Sequence, residues 1–224
     1  MAMRKVFFDP KAPHRSTYFG ISSSATLKVA EIAGEELLDV REKVLLFALA
    51  SERNRCVAGH LPFSLSAHRV FGESVSFFSV FRNPVDRFVS QYFYDRHKSS
   101  DHRRIDCSLD EFLESDRGRG TGRLYVDWFG RDEQGTVADE QKRFEQAVAN
   151  LDRLAVVGLV EEMGLLRQKL EALLGRRVPI GTVNRNPRKD RMKEVTEAQR
   201  KKIERLCEPD LRFYEEARKR ALAD

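Results

Sequence analysis

A basic and polar segment, residues 82–90 (RNPVDRFVS), directly follows an apolar run. Asn83 is a good N-cap and Pro84 a good first residue, so a helix is predicted to begin here. A helix N-terminus presents free backbone N–H groups and the positive end of the helix dipole, which favour anions. Arg82 could bind a phosphate through two hydrogen bonds, and Ser90 could donate its hydroxyl to the same anion. The alternative is a surface ion pair for Arg82 and no ligand for Ser90.

His60 ends a second strand-like segment, residues 56–60 (CVAGH). The pKa of an imidazole lies near neutrality, so His60 could remove a proton from a hydroxyl group. The alternative is a structural histidine, which is the more frequent role for a histidine after a short strand. The remaining histidines lack this placement; they are His14, His68, His97 and His102.

Hydroxyl side chains cluster between a β-prone segment, residues 16–21, and a helical segment, residues 27–32. The candidate loop is residues 22–26 (SSSAT), in which Ser22, Ser23, Ser24 and Thr26 carry hydroxyls and Ala25 contributes its backbone. Hydroxyls and backbone N–H groups at a helix N-terminus suit a phosphate group, so a second anion site is predicted here. Lys28, one turn into the helix, or Lys11, if it folds back, could supply a positive charge. The alternative is a serine-rich helix cap without a ligand.

The apolar pattern predicts strands that alternate with helices, and these must position the candidate side chains. Residues 75–81 (VSFFSVF) and 154–160 (LAVVGLV) are typical of buried parallel strands. Residues 36–50, 139–150 and 164–174 have apolar residues at helical spacing. The fold class is therefore predicted to be α/β with a mainly parallel sheet, in which ligands bind at the carboxyl ends of the strands.

Local signals predict where several helices begin and which face each one buries. Capping boxes are predicted at Ser108–Glu111 and at Thr196–Gln199, and Gly175 is predicted to end a helix. In the helix after Asn83, helical spacing places five apolar or aromatic side chains on one face. They are Val85, Phe88, Val89, Tyr92 and Phe93.

Residues 97–135 are predicted to be a polar insertion within a single domain that spans residues 1–224. Within it, residues 115–135 have the composition of a long, mobile loop. The glycines of 118–122 (GRGTG) follow no predicted strand, so they do not form a dinucleotide-binding fingerprint. The aromatic residues of this segment could stack on a sugar or pack within the protein, and both alternatives stay open; they are Tyr125, Trp128 and Phe129.

The composition is that of a globular protein with a charged surface, with 41% hydrophobic and 33% charged residues in 224. The net charge of +5 favours anionic ligands, but the basic residues are spread along the chain, which argues against a dedicated nucleic-acid-binding protein. The three cysteines lie far apart and have no metal-binding spacing, so no metal is expected. Free thiols, with no recognisable signal peptide or membrane span, lead us to expect a cytoplasmic protein.

Residues 82–92 fit a longer pattern, Arg-x-Pro-x-x-Arg-x-x-Ser-x-Tyr, at every position. This pattern is similar to that of sulfotransferases that use the donor 3′-phosphoadenosine 5′-phosphosulfate (PAPS) and release the bisphosphate PAP. The resemblance implies a three-layer, P-loop-NTPase-like fold with a central, mainly parallel sheet flanked by helices. It also implies that Arg82 and Ser90 bind the 3′-phosphate of the donor, and that Arg87 forms a supporting ion pair.

Two further segments resemble the same family. Gly59-His60 resembles the Gly-His of the carbohydrate branch, particularly the 2-O-sulfotransferases. This implies that His60 is the general base and that the acceptor hydroxyl belongs to a carbohydrate or another small molecule. The layout of the last third of the chain is also similar and implies a basic loop that helps to close over the nucleotide. Arg188 is the candidate residue there, with Arg185 and Lys189 as further possibilities.

The loop expected to bind the 5′-phosphosulfate departs from the family pattern, which resembles Pro-Lys-Thr-(Ala/Gly)-(Gly/Ser)-Thr-(Ser/Thr)-Leu. When residues 22–26 are aligned with it, Ile21 stands where the family has lysine. An alternative alignment places Lys11 at that position, but the residues after it fit poorly.

This departure leaves more than one function open. The first is a PAPS-dependent O-sulfotransferase that needs no metal, and the second is a nucleotide- or polyanion-binding relative without transfer activity. A basic RNA-binding module is disfavoured because the aromatic residues are predicted to face the core.

Overall fold

The computed structural model describes residues 18–51, 54, 56–99, 103–178 and 194–223. Lys11 and Arg188 lie outside the described residues. Within those residues, six short strands alternate with helices: β1 (Tyr18–Gly20), β2 (Cys56–Ala58), β3 (Phe78–Phe81), β4 (Arg131–Asp132), β5 (Gly135–Thr136) and β6 (Val156–Leu159).

Helices make up most of the described structure, and none of them there is long and apolar enough to cross a membrane. The first six are α1 (Ser23–Ala33), α2 (Leu37–Ala50), α3 (Leu65–Phe71), α4 (Pro84–His97), α5 (Leu109–Glu114) and α6 (Asp116–Gly122). The next five are α7 (Leu124–Phe129), α8 (Glu140–Leu151), α9 (Met163–Leu174), α10 (Glu197–Leu206) and α11 (Glu208–Leu222). A 3₁₀ turn, Val160–Glu162, joins β6 to α9.

The strands form parallel pairs, which is consistent with the predicted α/β class. β1 pairs with β2, with Tyr18 opposite Cys56, and β3 pairs with β6, with Phe78 opposite Val156. Strands β4 and β5 form a small antiparallel hairpin. In the described residues the two parallel pairs are separate two-stranded sheets, so one continuous central sheet is not formed there. The sequence runs predicted β1, β2, β3 and β6, but not β4, β5 or which strands pair with each other.

The turn from β3 into α4 has the predicted geometry. The side-chain oxygen of Asn83 accepts hydrogen bonds from the backbone N–H groups of Val85 (3.0 Å) and Asp86 (3.3 Å), and Pro84 is the first helical residue. The predicted apolar face of α4 is buried, and Phe88 on it contacts Phe112 of α5 with ring centroids 5.8 Å apart. The strand-turn-helix prediction is therefore confirmed.

An aromatic cluster fixes the carboxyl end of β3 to the helices around it. Phe81, the last residue of β3, is 1% exposed. Its ring makes edge contacts with Tyr125 and Phe129 of α7 (both 5.2 Å between centroids) and with Phe213 of α11 (5.3 Å). Such contacts add about 0.5–1.5 kcal/mol each beyond the buried apolar area.

The prediction of a long, mobile loop is wrong for residues 116–129, which form α6 and α7. Both helices have buried side chains, and Val126 is 1% exposed. The glycines that suggested a loop allow close packing instead. A Cβ atom on Gly122 would lie 2.4 Å from the carbonyl oxygen of Leu206, and one on Gly118 would lie 2.0 Å from that of Phe112.

A buried carboxylate connects α4, α6, α7 and α11. Asp210 is fully buried and accepts hydrogen bonds from the backbone N–H groups of Tyr125 (3.0 Å) and Val126 (2.9 Å). It also pairs with the guanidinium of Arg87 at 3.2 Å, and Arg87 donates to the Thr121 carbonyl at 2.6 Å. Burial raises the pKa of Asp210 to about 7, while Arg87 and the two backbone donors act against this shift. The ion pair predicted for Arg87 is confirmed.

We predict that Asp210→Asn destabilises the fold, because it leaves the Arg87 guanidinium without its counter-charge. Removing one partner of a buried pair costs about 3–5 kcal/mol, and a loss near the lower end is expected because Arg87 retains some solvent contact. Urea unfolding followed by circular dichroism would measure it. Asp106→Asn, which removes an exposed partner of Arg104, should leave the midpoint nearly unchanged. Equal midpoints for the two variants would contradict the prediction.

Candidate active site

One large cleft, of about 2050 Å³, brings several predicted site residues together. The lining residues come from α1, α2, β2 and the segment after it, β3, α4, α6, α7 and α9. Those that could act on a ligand are Ser23, Arg41, His60, Arg82, Ser90 and Trp128.

Arg82 lies at the carboxyl end of β3, and its backbone is held on both sides. The Tyr125 hydroxyl accepts from the Arg82 N–H (3.1 Å) and donates to its carbonyl oxygen (3.0 Å). The next backbone N–H, that of Asn83, donates to Glu161 at 2.9 Å. The half-buried guanidinium has no hydrogen bond or ion pair to other described residues. The alternative of a surface ion pair for Arg82 is therefore not realised within the described chain, and its donors are free for an anion.

Ser90 lies two turns into α4 and lines the same cleft as Arg82. Its side chain is half-buried, and its hydroxyl has no hydrogen-bond partner among the described residues. Arg87, on the same helix, also lines the cleft but is occupied by Asp210. Between residues 82 and 90, a structural arginine, Arg87, therefore lies between two groups that remain available to a ligand.

The serine-rich cluster forms the start of α1. Ser22 is its N-cap and accepts from the Ala25 N–H at 3.3 Å, and the Ser22 and Ser24 hydroxyls are 3.1 Å apart. The Thr26 hydroxyl is buried and donates to the Ser22 carbonyl at 3.0 Å. Of the five cluster residues, Ser23 lines the cleft. The capping geometry accounts for most of these hydroxyls, so any ligand contact must come chiefly from Ser23 and the helix N-terminus.

The lysine positions do not supply a cation to this end of the cleft within the described residues. Ile21, at the position where the similar pattern has lysine, is 8% exposed and its N–H donates to the Ala58 carbonyl at 2.8 Å. Lys28 is exposed and is not among the residues that line the cleft.

Arg41 is a cleft residue that the sequence interpretation missed. It lies on α2, is 4% exposed, and donates from Nε to the Thr26 hydroxyl at 3.4 Å. Its guanidinium carbon lies 5.4 Å from the centroid of the Trp128 ring. The signal was present in the sequence, because Arg41 occupies a core-facing position at helical spacing between Leu37 and Leu45. A basic residue at such a position requires a partner or a ligand.

His60 follows β2 directly and lies on the wall of the cleft. Although solvent reaches the ring, the protein atoms around it lower its pKa, and the positive charge of Arg41 lowers it further. The neutral imidazole is thereby favoured at pH 7, which is the form that can accept a proton.

The aromatic residues of the supposed insertion have different positions. Tyr125 and Phe129 are each 7% exposed and belong to the core, so the packing alternative is confirmed for both. Trp128 is half-buried, lines the cleft and contacts Arg41. A ligand in the cleft could still reach its ring.

The charges around the cleft are strongly unbalanced. Among the described lining residues, six are basic and one, Asp95, is acidic. Asp95 is already paired with Lys98 (2.8 Å) and Arg117 (2.9 Å). The other basic residues that line the cleft are Arg41, Arg82, Arg87 and Arg103. Such a cleft favours an anionic ligand.

Comparison with protein families agrees with this arrangement. A family model described as a sulfotransferase domain matches residues 10–142, which is more than half of the chain. The matched range contains residues 22–26, His60, Arg82 and Ser90. A search of curated proteins finds no match.

The electrostatic effect of Arg41 on His60 can be tested directly. We expect His60 to have a pKa below the ordinary value of about 6.5, and we expect Arg41→Gln to raise it, because removal of a nearby positive charge favours the imidazolium. NMR titration of the histidine ring signals would measure both values. Arg69→Gln, which removes an exposed arginine paired with Glu133, should leave the His60 pKa unchanged. The same pKa in all three proteins would refute this electrostatic effect.

Proposed function

Because the chain belongs to the sulfotransferase family, we propose that it transfers a sulfuryl group from PAPS to a hydroxyl group of an acceptor. The observation that carries the proposal is Arg82, whose backbone is held at the end of β3 and whose guanidinium has no partner among the described residues. It lines one cleft with Ser90 and His60. A sulfuryl transfer needs groups that can bind the anionic donor and a neutral base that can accept the proton of the acceptor, and both are present in this cleft.

The residues around Arg82 fit the 3′-phosphate of the donor. Arg82 can offer two parallel hydrogen bonds to a phosphate, and the unpartnered Ser90 hydroxyl can donate a third. The N-terminus of α4 adds the positive end of a helix dipole. Two hydrogen bonds from Tyr125 fix the backbone of Arg82, which reduces the entropy lost when the anion binds.

The start of α1 suits the other phosphate group of the donor. Ser23 lines the cleft, and the first turn of α1 offers backbone N–H groups. When bound, PAPS would supply an activated sulfuryl group whose transfer leaves a phosphate behind.

His60 is the proposed general base. It would accept the proton of the acceptor hydroxyl as the oxygen attacks sulfur, and its lowered pKa keeps it unprotonated at neutral pH. The Gly59-His60 pattern supports a carbohydrate or similar small molecule as the acceptor. The Trp128 ring in the cleft could contact a sugar face, and the basic walls suit an acceptor that itself carries acidic groups.

A second candidate function is nucleotide binding without transfer. The specific observation in its favour is Ile21, a buried apolar residue at the position where the similar pattern has a lysine. The two functions share the Arg82 site and differ at the 5′ end of the donor. Tight PAP binding with no sulfate transfer to a mixed panel of sugar and phenol acceptors would favour this second function.

We predict that His60→Ala loses turnover and keeps nucleotide binding, since His60 acts on the acceptor proton. The loss should be about 10²–10⁴-fold in kcat. Transfer of ³⁵S from labelled PAPS would measure turnover, and calorimetry with PAP would measure binding. His97→Ala, at the exposed end of α4, is the matched control and should stay active. Normal turnover in His60→Ala would exclude His60 as the base.

We predict that Arg82→Ala weakens PAP binding by about 100-fold, because two charge-assisted hydrogen bonds are lost. Calorimetry at constant salt would measure the change. Arg119→Ala removes an exposed arginine paired with Asp116 and should retain wild-type affinity. Unchanged affinity in Arg82→Ala would place the 3′-phosphate elsewhere.

A further inference from the structure

Arg41 is a buried charge for which the described protein provides no counter-charge. It is 4% exposed, and its one hydrogen bond within the described residues joins Nε to the Thr26 hydroxyl. Both terminal nitrogens lack a protein acceptor there, and no described carboxylate lies within ion-pair distance. Burial lowers its pKa, and the charge of Arg103 lowers it further. A buried guanidinium normally has a carboxylate, a phosphate or another acceptor.

The surroundings of Arg41 indicate what kind of group would satisfy it. The neighbours are a hydroxyl (Thr26), an aromatic face (Trp128), an imidazole (His60) and a second arginine (Arg103). None of them carries a negative charge. Because Arg41 lines the cleft, an anion that enters it can accept parallel hydrogen bonds from the two free terminal NH₂ groups.

The position of Arg41 relates this anion to the start of α1. Thr26, which accepts from Arg41, donates in turn to the carbonyl oxygens of Ser22 (3.0 Å) and Ser23 (3.2 Å). Arg41 is therefore attached to the first turn of α1, where Ser23 lines the cleft. The N-terminus of α1 and the unpaired, buried Arg41 therefore lie next to each other.

We propose that Arg41 supplies, from α2, the positive charge for the 5′-phosphosulfate of the donor, in the role for which the serine-rich loop has no lysine. This inference rests on the proposed function. As the acceptor oxygen forms a bond to sulfur, the bond from sulfur to the 5′-phosphate oxygen breaks, and its electron pair stays on that oxygen. Arg41 donates a hydrogen bond to this oxygen, and the acceptor proton passes to His60.

Two physical properties favour an arginine in this position. Its guanidinium stays protonated when buried, whereas a buried lysine readily loses its proton. Its charge also acts on His60, so the same charge that would stabilise the leaving phosphate favours the neutral form of the base. The contact with Trp128 and the hydrogen bond to Thr26 hold the guanidinium in place before the donor binds.

The test compares two nucleotides that differ only in the 5′-phosphate, PAP and adenosine 3′-monophosphate. Calorimetry would give the affinity of each for wild-type protein, Arg41→Gln, Arg41→Lys, Arg82→Gln and the surface control Arg69→Gln. The ratio of the two affinities isolates the contribution of the 5′-phosphate. Thermal unfolding would verify that each variant is folded, and retained binding of adenosine 3′-monophosphate is a second measure of folding.

We expect Arg41→Gln to reduce the affinity ratio by about tenfold or more, while the affinity for adenosine 3′-monophosphate is unchanged. Arg41→Lys should keep part of the ratio, since it retains the charge but not the paired hydrogen bonds. Arg82→Gln should weaken both nucleotides equally, and Arg69→Gln should change neither. A wild-type ratio in both Arg41 variants would overturn the inference and leave the proposed function intact. Failure of the wild-type protein to bind PAP would overturn both.

Discussion

The buried contact between Asp210 and the start of α7 is the constraint on which the site depends. Asp210 accepts from the first backbone N–H groups of α7 and from Arg87 of α4, and so fixes both helices to α11. Tyr125, whose N–H binds Asp210, uses its hydroxyl to hold the backbone of Arg82. A carboxylate far along the sequence thereby helps to fix the backbone that carries the Arg82 side chain.

The arginines that line the cleft fall into two groups, those with a carboxylate partner and those without one among the described residues. Arg87 and Arg117 have carboxylate partners and hold helices together. Arg82 and Arg41 have none among the described residues, and both line the cleft. A protein that leaves basic groups half or fully buried without partners is less stable than one that pairs them, unless an anion completes the arrangement. The unpaired arginines therefore indicate where a doubly anionic ligand would bind, and the paired ones indicate what supports it.

Signals of short range were the reliable ones in the sequence. The N-cap Asn83, the capping boxes at Ser108 and Thr196 and the ending of α9 at Gly175 are all present. Composition predicted the wrong structure for the glycine-rich segment, because the conformation there depends on residues that are distant in the sequence. The glycines of residues 116–122 suggested a loop, but these residues form α6, where Gly118 and Gly122 let the carbonyl groups of Phe112 and Leu206 approach too closely for any side chain. Which strands pair with each other likewise depends on residues that are far apart in the sequence.

By itself, the sequence determined the strand-turn-helix unit that carries Arg82 and Ser90, because an N-cap, a proline and an apolar periodicity act over a few residues. It also determined the family, since the same short unit carries the recognisable pattern. Only the tertiary structure decided which cations remain free. Arg87 lines the cleft but is paired with Asp210, 123 residues further along, whereas Arg41 is held at the cleft by contacts with Thr26 and Trp128. Whether a charge is paired depends on what folds against it, and no local spacing contains that information.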